Sequence, residues 1–104
     1  MATSTIWGKS QTSRKIVRGI TFYATASHGG FKLSKTKNDQ VPDYMKKSTH
    51  CQDGVNGWYE EDCDWSIVVL FFPELFPEKT YKTALEVIKR FHANAWEQYK
   101  RENS

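Results

Sequence analysis

Residues 57–76, GWYEEDCDWSIVVLFFPELF, place the longest apolar run of the chain directly behind its densest group of acids. This juxtaposition constrains the fold more than any other stretch, because the apolar end must be buried while the acidic end must reach solvent or find partners. The run IVVLFF suits a buried strand as well as a buried helix. Glu60, Glu61, Asp62 and Asp64 ahead of it, and Pro73 behind it, favour a helix over 58–72. Acids suit the first turn of a helix, where unpaired N–H groups carry partial positive charge, and proline suits its end. On that helix Trp58, Trp65, Val68, Val69, Phe72 and Phe76 fall close to one stripe.

The C-terminal segment is a clearer helix. Tyr81, Ala84, Leu85, Ile88, Phe91, His92, Ala95, Trp96 and Tyr99 recur at helical spacing, which predicts one long amphipathic helix over 80–101. Pro77 fits its opening turn, and Thr83 with Glu86 offers a capping box. Upstream, Ile16 to Thr25 is dense in β-branched and aromatic residues and predicts a strand, with Ile20, Phe22 and Ala24 on one face and Gly19 at a bulge. Phe31-Lys32-Leu33 alternates, so a hairpin over 16–34 follows, closed by a glycine-containing turn. Residues 34–40 and 46–56 are predicted to be loops, with Pro42 opening a short helix between them. Residues 1–14 are rich in Ser, Thr and Lys around the large apolar side chain of Trp7 and predict an extended arm tied down by the indole. The expectation is one α+β domain over 1–104: a small antiparallel sheet packed against two or three helices, including a long C-terminal helix.

Composition bounds the function. At 104 residues one core is the default, and four tryptophans supply large buried rings. No apolar run approaches the roughly 20 residues that cross a bilayer, so neither a membrane partner nor a secretory leader is expected, and the cytoplasm is the expected location. There Cys51 and Cys63 stay reduced thiols. The net charge of +3 conceals a division, with nine Lys or Arg against two acids in residues 1–50 and six against ten in residues 51–104. A basic half can attract a polyanion; the plainer alternative is that the two halves neutralise each other.

Two groups of residues can carry chemistry. Ser27, His28, Gly29, Gly30 and Lys32 form the first: paired glycines let backbone N–H groups approach an anionic or nucleotide-like ligand, and His28 can donate a hydrogen bond or move a proton. The competing reading is a hairpin turn in which the glycines solve a backbone problem. Trp58, Tyr59, Glu60, Glu61, Asp62 and Asp64 form the second, an acidic surface able to supply general acid and base groups or simply to open a helix. His50, Cys51 and Cys63 are metal-ligand types, but no CxxC or HxxxH spacing gathers four of them, so no metal and no cofactor is expected. The acids beside Cys63 disfavour its thiolate. Lys32, Lys35, Lys37, Lys46 and Lys47 around Phe31 and Tyr44 give a rough pattern for nucleic-acid binding.

The blocks SHGGFKLS at 27–34 and GWYEEDCDW at 57–65, with VPDY at 41–44 and FPELF at 72–76 between and behind them, carry a resemblance. The chain resembles a small domain-of-unknown-function family found in bacteria, phages and mobile elements, and the likeness spans roughly residues 22–76. The resemblance implies no catalytic residues. It implies a context in which a small protein binds and inhibits a host protein, such as one of a defence system, and that is the leading functional expectation. A small enzyme or ligand-binding domain at the Ser-His-Gly-Gly turn is the first alternative, and a nucleic-acid-binding protein the second. The two candidate groups are informative together only if the turn at His28 and the acidic run open into one cleft.

Overall fold

The computed structural model describes residues 3–103. A four-stranded antiparallel sheet is laid down first, in the order β3-β4-β5-β6, from Thr12–Val17, Ile20–Ala24, Gly29–Leu33 and Trp58–Glu60. Ahead of it Ser4–Thr5 (β1) and Gly8–Lys9 (β2) pair as a separate small hairpin. Helices follow: α1 (Lys35–Asn38), α2 (Asp43–Lys46), α3 (Trp65–Phe71), α4 (Glu78–Phe91) and α5 (Ala93–Glu102), with 3-10 turns at His50–Asn56 and Pro73–Leu75. The α+β class and the sheet built around residues 16–34 are as the sequence predicts.

Several boundaries differ, each for a physical reason. The single strand expected over 16–25 is two strands, because Gly19 takes φ +93° and turns the chain back after Val17. Residues 3–14 are structured: Trp7, at the tip of the β1–β2 hairpin, packs edge-on against Trp58 with centroids 5.4 Å apart, and Thr12 already starts the edge strand. Met1 and Ala2, the start of the expected arm, lie outside the described residues. The 34–40 loop contains α1, whose N-terminus Ser34 caps by accepting from the Lys37 amide.

The helix expected over 58–72 begins only at Trp65. Gly57 takes φ +88°, and Trp58–Glu60 then adds to the sheet as β6, with Gly30 opposite Glu60 and Phe31 opposite Tyr59. Ladder bonds to β5 override the acids' preference for a helix start. The long C-terminal helix is bent: it starts earlier, at Glu78, and breaks at His92 (φ −131°, ψ 45°) into α4 and α5. Thr83 lies inside α4, where its hydroxyl donates to the Lys79 carbonyl, so the expected capping box does not form.

The core lies between the sheet and α3 to α5. Ile20, Phe31, Leu33 and Tyr59 from the strands meet Ile67, Val68, Leu70 and Phe72, with Ile88 and Ala95 behind them. Each such aliphatic side chain contributes about 1.5–3 kcal/mol by leaving water. Phe31 touches Phe22 and Phe76 edge-on, at 5.2 and 5.8 Å between centroids. Tyr59 is fully buried, and its hydroxyl donates to Asn38 Oδ1, which ties β6 to α1.

Candidate functional site

The residue that shapes the site is Glu60, the last of β6. Its carboxylate accepts from the backbone N–H groups of Asp62 (2.9 Å), Cys63 (2.6 Å) and Asp64 (3.0 Å), which winds 61–64 into a tight turn feeding α3. Burial pushes this carboxyl up, but the three N–H donors outweigh it and hold Glu60 below the usual carboxylate range. The turn carries Asp64 inward. Asp64 is 1% exposed, and its Oδ2 accepts from the His50 amide at 2.9 Å.

From the opposite side the break between α4 and α5 brings in His92, whose side chain is 3% exposed. Its Nε2 lies 3.3 Å from Asp64 Oδ1, within ion-pair reach but without hydrogen-bond alignment. Neither ring nitrogen has a hydrogen-bond partner among the described residues. A buried polar group left without any partner costs about 1–3 kcal/mol.

Above this pair opens a cleft of about 500 Å³. Five parts of the chain line it: Trp7 from the N-terminal hairpin, His28 from the β4–β5 turn, Ser48 and His50 from the segment after α2, Glu60 and Asp62 to Asp64, and Phe91 with His92. All three histidines of the chain therefore reach one space. The turn at His28 and the acidic run share it. Among the described residues no three His, Cys, Asp or Glu side chains are grouped to hold a metal ion.

The other predicted positions separate. Ser27 and His28 are exposed in a turn closed by Thr25, whose hydroxyl donates to the His28 carbonyl and accepts from the His28 amide. Gly29 and Gly30 are ladder residues of β5, Gly29 paired with Ala24 and Gly30 paired on both sides, and neither has the positive φ of an anion-binding nest. What requires glycine at position 30 is crowding: a Cβ there would run into the Tyr59 carbonyl, the Trp7 ring and Glu60. Lys32 leaves the cleft altogether. Its ammonium donates to the Asn56 carbonyl and sits 4.9 Å over the Trp58 ring. Trp58 packs on Trp7, Tyr59 is in the core, and Glu61 is exposed with its amide bonded to the Gly29 carbonyl.

Cys63 is half-buried in the cleft, and burial first, then Glu60, Asp64 and Asp62, push its thiol up. It is a protonated wall residue rather than a nucleophile. Of the rings expected to interleave with lysines, Phe31 is buried. Sequence reasoning missed His92, Phe91, Ser48 and Trp7 as site residues. For His92 a signal existed: an imidazole within an otherwise apolar stripe needs a polar partner when buried, and the chain's acid cluster precedes the helix that packs beside it.

The sequence profile of a family described as Domain of unknown function (DUF7007) matches residues 1–104. No curated protein and no solved structure matches the chain.

Proposed function

The chain belongs to this domain-of-unknown-function family, and we propose that it is a small ligand-binding domain with acid–base capacity, its site the cleft above Asp64 and His92. The observation that carries this reading is the buried His92 ring, with a carboxylate beside Nε2 and no hydrogen-bond partner for either nitrogen among the described residues. A carboxylate next to Nε2 favours the tautomer with the proton there, which leaves Nδ1 to accept a hydrogen bond or a proton.

The sign of the ligand follows from the lining. Glu60, Asp62 and Asp64 are the fixed charges, and Glu60 is held in its ionised form. Three carboxylates against histidines disfavour the anionic ligand expected from the sequence and favour one that brings N–H donors or positive charge. Trp7 and Phe91 supply aromatic walls for its apolar part. An aromatic amidine or amine is the simplest chemistry that satisfies both.

Inhibition of a host protein of phage or mobile-element context would draw on exposed apolar side chains. Among the described residues these are Ile6 in the β1–β2 turn, Val55 in the 3-10 segment and Phe91 at the end of α4. They support that reading less directly than the cleft supports ligand binding.

Benzamidine and benzoate share a shape and differ in charge, so amide-shift titrations with the two probes test the proposal. Benzamidine should move the resonances of His28, Cys63, Asp64 and His92 saturably, benzoate should not, and Asp64→Asn should weaken benzamidine at least five-fold. Equal responses to both probes, or none in the cleft, would contradict it.

A further inference from the structure

A second concave site lies apart from the cleft. Lys32 and Leu33 of β5, Lys35, Asn38 and Asp39 of the α1 region, Lys46 of α2, and Val55 and Asn56 of the 3-10 segment enclose about 320 Å³. Three lysines and one aspartate contribute to that lining. Asp39 is taken by Lys35 in an exposed pair at 3.0 Å. Lys46, whose side chain is 12% exposed, has Asp43 at 3.3 Å, but Asp43 stands 82% exposed and is screened by water. Among the described residues Lys32 has no carboxylate partner: its contacts there are the Asn56 carbonyl at 2.5 Å and the Trp58 ring. Its burial without a counter-charge pulls its ammonium below the ordinary lysine range.

We propose that this pocket binds a multiply charged oxyanion, a phosphate or polycarboxylate group of a small molecule, between Lys32 and Lys46 with Lys35 at the rim. Compact ammonium groups on flexible stems act as point charges toward such groups. The scaffold beneath is rigid, because Asn38 is buried and bonded through its amide to the Gly54 carbonyl and through its Oδ1 to Tyr59. Val55, 48% exposed, supplies an apolar edge for the part of the ligand that carries the anion. The pocket gives the lysine-rich half of the chain a role independent of the cleft, and it holds Lys32, which the sequence groups with the His28 turn.

The test is an amide-shift titration of the full chain with inorganic phosphate, pyrophosphate and citrate. Saturable shifts confined to residues 32–39, 46 and 54–56 are expected. Lys32→Met and Lys46→Met keep the aliphatic stems and remove the charges, and each should weaken pyrophosphate at least ten-fold, whereas Lys79→Met on α4 should not. Phosphate-class and carboxylate sources are separated by whether pyrophosphate or citrate saturates first. A dispersed spectrum for each variant, and an unchanged benzamidine response in the cleft, separate loss of this site from misfolding and from failure of the cleft reading. Shifts that stay linear with concentration, or Lys32→Met binding as tightly as wild type, overturn the proposal. So does an oligonucleotide that binds with equal loss on Lys9→Met and Lys32→Met, which would mean a diffuse basic surface.

Discussion

Single residues decide what kind of site this fold can hold. Gly29 and Gly30 read in sequence as a loop for an anion, yet Gly30 is there because the Trp7 ring, the Tyr59 carbonyl and Glu60 crowd its α-carbon. The same glycine therefore serves packing, and it lets the N-terminal hairpin lie on the sheet and wall the cleft. Gly30→Ala should cost at least about 2 kcal/mol in chemical denaturation, the upper part of the range for overpacking, because two of the atoms it meets are backbone. A loss under about 0.5 kcal/mol would show that the hairpin does not press on β5. His92 is the reverse case. Its spacing predicts a place on the buried stripe of one long helix, and it is buried, but at the break between α4 and α5; periodicity also says nothing of which side chain will stand opposite.

At the scale of elements, the turn over 61–64 joins sheet to helix through one carboxylate. Acids at 60–64 read as the opening turns of a helix, and the correct physics, N–H groups seeking a carboxylate, acts one turn earlier, from the end of a strand. Sequence could not choose between these, because β6 exists only through its pairing with β5, a partner some 30 residues away. The C-terminal helix was legible throughout its length except for the break at His92, which no proline or glycine marks. Glu60 also gives the fold an acid-sensitive joint. Its folded pKa lies below the unfolded carboxyl value of 4.5, so its contribution is present above that value and is lost as pH falls through the folded pKa. Glu60→Gln should lower the free energy of urea unfolding at pH 7 by about 1–2 kcal/mol, in the range for a lost cap. Its deficit relative to wild type should shrink on acidification below pH 4.5, measured by urea denaturation at each pH. A deficit independent of pH would place the stabilisation elsewhere.

For the molecule as a whole, the sheet and its helices were legible in alternation and periodicity, whereas the site was legible only in halves. The acid run and the His28 turn could each be picked out, but their meeting depends on β6 closing beside β5. The third contributor arrives from α4, more than 25 residues further on, and the fourth from a hairpin that composition alone presents as a loose arm. Lys32 moved the other way, to a second pocket, because it lies further along β5 from the turn, opposite Trp58, and its ammonium packs over that ring and reaches the Asn56 carbonyl. The central proposal is that His92, buried beside Asp64, keeps its ring proton on Nε2 and leaves Nδ1 free to accept from a ligand in the cleft. Long-range nitrogen–proton correlation spectra of the histidine rings read this directly. His92 should carry its proton on Nε2, with an Nδ1 resonance that shifts on addition of benzamidine. A proton on Nδ1, or an Nδ1 resonance that stays put while benzamidine saturates, would contradict it.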